Sequence, residues 1–228
     1  MKHNVPVGVL LSGGGTNLQA IIDAIEQDGL DAEIRTVVSN RESAYGLIRA
    51  RNHRIPTTVI DHRGHPSRDA YDQVVVEHLK SQGVELVVLA GFMRLLSPYF
   101  VQSFPNRIMN IHPALSPAFG GLHGQRQAIE YGVRFAGCTV HFVSEGCDEG
   151  PIIIQAVVPV LPDDTEETLA QRILAQEHRI YPRAIQLYSE GRLVIEGRKV
   201  RVTGEDGDAG GGSALVNPRI LENLSPPR

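Results

Sequence analysis

The stretch VPVGVLLSGGGTNLQAIIDAIEQDG, residues 5–29, decides how the chain folds. VPVGVLL (5–11) predicts a strand, and Leu18, Ile21, Ile22 and Ile25 recur at helical spacing, which predicts a helix over about 17–27 that Gly29 ends. Strand, glycine turn and helix in that order are the first unit of an α/β alternation. EIRTVVS predicts a second strand with a helix over 43–52 after it; IPTTVI predicts a third, followed by the helix SRDAYDQVVVEHLKSQG. VELVVLAGF (84–92) is then apolar without alternation, as a strand covered on both faces would be. The expected fold class is therefore α/β: a doubly wound, mostly parallel sheet with crossover helices.

Beyond residue 105 the pattern loosens. NRIMNI reads as another buried strand and GQRQAIEYG as a short helix, while GCTVHFV and PIIIQAVVPV read as neighbouring strands of a small antiparallel extension. A long helix over 165–189 opens with the acidic DDTEETL, the sign that a helix N-terminus favours. RLVIEG and KVRV are the last expected strands. From residue 204 the composition turns to glycine and proline, so the division expected is one domain over 1–203 and a flexible tail over 204–228.

A chain of 228 residues suits one core. Its 22 Lys and Arg against 26 Asp and Glu provide no broad cationic face for nucleic acid or an anionic membrane, and a small polar ligand is the expected partner. The two cysteines, Cys138 and Cys147, form neither a CxxC pair nor a disulfide framework. Without a leader-like or membrane-spanning run, the expected location is the cytoplasm.

In LLSGGGTNL, consecutive glycines before a helix let a backbone approach a ligand, and free amides at the helix N-terminus attract an anion. No Lys-Ser/Thr follows to make a phosphate-binding P-loop, and Leu18 stands where a dinucleotide motif needs its third glycine. A mononucleotide-like or sugar phosphate fits better than a dinucleotide; a tight packing turn is the plainer alternative.

NIHPALSPAFGGLHG (110–124) sets His112 before Pro113, which biases it toward the extended conformation at a strand end. Asn110 and His112, two apart, face one way. An amide donor and an imidazole aimed at one point suit oxyanion stabilisation or proton transfer, although a lone His at a strand end is often just hydrogen-bonded. HFVSEGCDEGPIII offers Asp148 as a carboxylate that would favour the imidazolium, or else as a turn former with Gly150. The facing of His141 is left open. His62 and His65 have loose metal spacing without further ligands, and Cys147 shows no activating neighbour.

SGGGTNLQA (12–20), VLAGFMRLLSP (88–98), NIHPAL (110–115), CTVHFV (138–143) with DEGPIIIQ (148–155), and QEHRIYP (176–182) occur in an order and spacing that resembles the phosphoribosylglycinamide formyltransferase family. The resemblance covers about residues 5–197. It implies a Rossmann-like formyltransferase fold and transfer of a formyl group from 10-formyltetrahydrofolate to the amine of glycinamide ribonucleotide, in purine biosynthesis and without a metal. Carried over residue by residue, it implies a catalytic trio of Asn110, His112 and Asp148. It also implies a phosphate seat at Gly15, Thr16 and Asn17, ribose contacts from Glu177, and a folate site formed by Arg68, Met93, Arg94, Leu95, Leu96 and Asn110. Protonated His112 and the Asn110 amide would stabilise the oxyanion, with Asp148 keeping the imidazole charged.

Two positions depart from relatives: Ser116, where Leu is usual, and Leu174, where several carry a polar or basic residue that approaches the phosphate, so that either Arg172 compensates or the glycine loop suffices. The resemblance leaves monomer or homodimer open. The rival activity is formyltetrahydrofolate deformylase, which is expected to carry an extra N-terminal domain; a tRNA-directed formyltransferase is expected to carry a C-terminal RNA-binding domain. A non-catalytic nucleotide-binding module would leave the trio unexplained.

Overall fold

The sequence VPVGVLL forms β1 (Val5–Leu11), and α1 (Thr16–Glu26) follows the glycines with Leu18, Ile21 and Ile22 buried. The computed structural model describes residues 4–146, 148–204 and the strand at 216–217. The alternation continues through β2 (Ala32–Ser39), α2 (Tyr45–Asn52), β3 (Thr57–Val59), α3 (Arg68–Ser81), β4 (Leu86–Leu89), α4 (Pro98–Ser103) and β5 (Ile108–His112). Then come α5 (Gly124–Tyr131), β6 (Phe135–Phe142), β7 (Ile152–Pro159), α6 (Glu166–Ser189), β8 (Leu193–Glu196), β9 (Lys199–Val202) and β10 (Val216–Asn217).

The sheet runs β3-β2-β1-β4-β5-β6-β7-β9-β8, with β10 on β7. β3 through β5 are parallel, while β6 runs antiparallel to both β5 and β7. The expected class and its antiparallel extension are both present. The central strands are apolar throughout because helices cover both faces. Val9, Leu11, Leu86 and Val88 join a core with the buried faces of α1 and α6, whereas Leu10, Val87 and Leu89 join a second core with α3 and Phe100 of α4. Gly8 lets α3 approach closely, since a Cβ there would lie 2.6 Å from Leu79 Cδ2.

α4 was not anticipated from the pattern: its 6 residues are too few for a period, although Ser97 caps its Phe100 N–H and Pro98 opens its first turn. β10 falls within the expected tail and pairs Val216 with Ala156 and Asn217 with Gln155; the rest of 205–228 lies outside the described residues. No helix among the described residues is long and apolar enough to cross a membrane.

Strand order reverses between β1 and β4, and open α/β sheets hold ligands outside the carboxyl ends at such a point. Both loops that leave this point are joined. Ser12 donates its N–H to the Gly91 carbonyl at 3.0 Å, its hydroxyl donates to Asn40 Oδ1 at 2.7 Å, and the Met93 N–H donates to that hydroxyl at 2.9 Å.

Candidate active site

Asn110 and His112 sit on β5, next to the switch point, with Leu89 of β4 paired to Asn110. The antiparallel return sets His141 opposite Asn110 and Thr139 opposite His112. Four polar groups meet where these strands face the loop that carries Asp148. The Asn110 amide donates to Asp148 Oδ1 and to His141 Nε2, each at 3.3 Å. His112 Nδ1 lies 3.6 Å from Asp148 Oδ2, and His141 Nε2 lies 3.6 Å from Oδ1. Both separations are too long for direct hydrogen bonds.

Backbone carbonyls fix both imidazoles. His112 Nε2–H donates to the Phe119 carbonyl at 3.0 Å, and His141 Nδ1–H donates to the Phe142 carbonyl at 2.9 Å. A carbonyl only accepts, so each ring must carry its proton on that nitrogen. His141 Nε2 then receives the Asn110 amide, and Nδ1 of His112 is the nitrogen turned toward the carboxylate. His112 is only 4% exposed.

The loop that supplies Asp148 is pinned by chain geometry. Asp148 has φ 54°, and Gly150 is buried with no room for a side chain, since a Cβ there would collide with the Phe142 carbonyl oxygen. The Gly121 N–H points at Asp148 Oδ2 at 3.4 Å, bringing the histidine loop to the same carboxylate.

At the glycine loop, Gly15 is the N-cap of α1 with φ 69°, and a Cβ on it would lie 2.6 Å from Gly46 Cα. α3, α4 and α6 are capped by Ser67, Ser97 and Thr165, but α1 has no side-chain cap and no acidic residue in its first turn. A helix start without a side-chain cap leaves its first amides to be satisfied from outside the helix, a setting for an anion. Asn17 donates to Glu177 Oε2 at 2.7 Å, tying α1 to α6, and burial pushes the Glu177 carboxyl up despite that bond. Thr16 also lines a groove of about 400 Å³ together with Arg49 and His178, where Arg49 Nε donates to the Gly14 carbonyl at 2.9 Å.

The residues assigned to the folate lie along the loop after β4. Met93 and Leu95 are exposed apolar side chains, Leu96 packs on the second core, and the Arg94 guanidinium stacks 4.9 Å over the Tyr71 ring. Arg68 is exposed at the first position of α3. Near it, burial raises the Asp72 carboxyl, which accepts from the Ser97 N–H at 2.6 Å. Among the described residues no group of three or more His, Cys, Asp or Glu is placed to hold a metal ion.

Sequence alone leaves the facing of His141 open and gives no sign of Thr139, Gln155 or the Phe119 carbonyl. Alternation along GCTVHFV was the available signal, but its phase follows from the long-range pairing with β5. Both departures from relatives have a local outcome. Ser116 is buried with its N–H on Thr139 Oγ1 and its carbonyl on Gln155 Nε2, while its own hydroxyl has no partner among the described residues. Arg172 does not substitute at Leu174: its guanidinium is engaged with Asp164 at 2.7 and 2.8 Å and with the Pro159 carbonyl at 2.9 Å. Cys147 lies outside the described residues.

A family model described as formyl transferase matches residues 6–185. The chain belongs to the formyl transferase family. Within this family it is 46% identical over 185 residues to the phosphoribosylglycinamide formyltransferase of Escherichia coli K12, covering 81% of this chain and 87% of that protein. It is 53% identical over 189 residues to the trifunctional purine biosynthetic protein adenosine-3 of Drosophila pseudoobscura pseudoobscura, covering 82% of this chain but only 14% of that much longer protein. The crystal structure of glycinamide ribonucleotide transformylase 1 from Symbiobacterium toebii superposes with a TM-score of 0.87 at 56% identity, over 89% of this formyl transferase chain and 95% of that one.

Proposed function

We infer that this chain transfers the formyl group of 10-formyltetrahydrofolate to the amine of glycinamide ribonucleotide, a step of purine biosynthesis. The observation that carries the reading is the convergence of Asn110, His112 and Asp148 at the carboxyl end of β5 in a member of this family. The uncapped N-terminus of α1 beside the Asn17–Glu177 pair supports a phosphate and ribose seat there. The exposed Met93 and Leu95 support an apolar floor for the folate, with the backbone of Arg94, Leu95 and Leu96 as readers of the pterin edge and Arg68 as a cation at the far end, near the glutamate tail. Small molecules in the cytoplasm are the proposed partners.

The formyl donor, when bound, supplies an electrophilic carbonyl carbon. One Asn110 Nδ2–H, given up by Asp148 or His141, and an N–H on His112 Nδ1 would be the donors to the oxygen that turns negative as the amine attacks. Donors of this kind are worth roughly a hundredfold to a thousandfold each. Because Nε2–H of His112 is held by Phe119, Nδ1 is the nitrogen that can pass the proton of the attacking amine to the folate nitrogen as the bond between that nitrogen and the formyl carbon breaks. The 3.6 Å gap to Asp148 leaves that nitrogen open to a second partner, a substrate atom or water.

Absorbance of tetrahydrofolate released from 10-formyltetrahydrofolate, with and without glycinamide ribonucleotide, tests the reading. Release that requires the amine, with one formylated product per folate, is the expected result. Equal release without the amine identifies the deformylase instead, and no release from folded protein refutes the catalytic assignment.

A further inference from the structure

The catalytic strand ends in a segment that is neither helix nor strand, yet one of its carbonyls sets the His112 ring. Between Pro113 and Gly124 the backbone turns through Phe119 at φ 53°, Gly121 at φ 79° and His123 at φ 62°. A segment of this shape needs anchors from elsewhere if the Phe119 carbonyl is to stay within 3.0 Å of His112 Nε2.

Two side chains on the neighbouring strands provide them. The Thr139 hydroxyl donates to the Ala114 carbonyl at 2.7 Å and accepts the Ser116 N–H at 3.0 Å and Gln155 Nε2–H at 3.0 Å. A hydroxyl has one proton and two lone pairs, so all three are used. Gln155 Nε2 gives its other proton to the Ser116 carbonyl at 3.0 Å. Three backbone groups of the segment are thus held by one hydroxyl and one amide, and Thr139 is fully buried, where a lost bond finds no water in exchange. Register explains why these two serve. His112 pairs with Thr139 across β5 and β6, and Thr139 pairs with Gln155 across β6 and β7, so the three stand in one row across the sheet.

We propose that Thr139 and Gln155 are positioning residues for His112: they anchor the 113–119 segment so that the Phe119 carbonyl fixes the imidazole with Nδ1 toward Asp148. Neither touches the reacting atoms. The kinetic part of the inference rests on the formyl-transfer reading.

The test compares Gln155→Met, which keeps volume and removes both donors, with Thr139→Val and with Thr139→Ser, which keeps the hydroxyl. Gln155→Met and Thr139→Val are expected to lower kcat about tenfold to a hundredfold with both KM values nearly unchanged. Thr139→Ser restores the parent kcat. Nitrogen-15 spectra of His112, assigned by loss of its signals in His112→Ala, give a second readout. The Nε2–H signal of a hydrogen-bonded ring is expected in the parent and in Thr139→Ser, and is weakened or shifted in Gln155→Met.

A merely structural role would lower the melting temperature while leaving kcat and the His112 signal in place, and that result overturns the proposal. Should Thr139→Val fail to fold, Gln155→Met, whose side chain is only half-buried, decides alone. If the parent protein shows no turnover with glycinamide ribonucleotide, the functional reading fails, and the His112 spectra still decide whether the anchors set the ring.

Discussion

Replacing Glu177 by glutamine should make the free protein more stable and a poorer binder of its nucleotide. Glu177 is 7% exposed, and among the described residues its side-chain partner is the Asn17 amide at 2.7 Å. A buried carboxylate carries several kcal/mol of desolvation, and the charge-assisted bond from Asn17 offsets only about 1.5–3 kcal/mol of it. An amide avoids the first term and retains a neutral bond of about 1 kcal/mol. It also adds an N–H donor to a pair in which Asn17 Oδ1 is buried without a partner among the described residues. The balance favours glutamine by about 1–2 kcal/mol, or roughly 3–6 °C in melting temperature for a domain of this size.

The pH dependence has a definite sign. Burial raises the folded carboxyl above its usual 4.5, so the protonated form is the one the fold prefers. Its contribution is complete below the unfolded pKa and is lost as pH rises through the folded one. Melting curves of the ligand-free protein between about pH 4 and pH 8 should therefore converge at the acid end and separate above it, with Glu177→Gln melting higher. In the absorbance assay, KM for glycinamide ribonucleotide should rise about tenfold to a hundredfold in the variant, since an ionic acceptor for ribose hydroxyls is gone. A variant that melts at or below the parent across the whole range would refute the reasoning.

His112→Ala and Asn110→Ala should each lower kcat about a hundredfold to a thousandfold in single-turnover kinetics, and the double variant should lose less than the product if both serve one oxyanion. Gly150→Ala pushes a methyl into the Phe142 carbonyl, displacing the segment that carries Asp148; kcat should fall about a hundredfold, and the melting temperature should drop with it. Ser116→Ala removes a buried hydroxyl that lacks a partner among the described residues, and calorimetry should show a rise of roughly 2–4 °C with kcat unchanged.

Most of the fold was legible because it follows from local pattern. Leu18, Ile21 and Ile22 announce α1, and the unbroken apolar run at Leu86–Leu89 announces a strand covered on both faces. Asn110 and His112 were legible too, through their spacing and Pro113. The wall opposite them was not. His141 meets Asn110 across 31 residues of sequence, and no local period states which face of β6 it takes. Thr139 and Gln155 read as ordinary strand residues until their register with His112 is known. Arg172 shows the opposite failure: the departure at Leu174 suggested it for the phosphate, but Asp164 takes both arms of the guanidinium.

The antiparallel pairing of β5 with β6 gives the site a digital character. Side chains alternate across a sheet, so a slip of one residue between these strands would carry Thr139 and His141 into the layer where Cys138 and Val140 now pack. Asn110 and His112 would then face valine and cysteine, and no intermediate register would leave a weakened centre. Molecules that mispair in folding are therefore silent, and those that pair correctly are fully competent. Impaired preparations should differ in the number of sites counted by titration with a tight-binding ligand, while the turnover of each counted site stays constant.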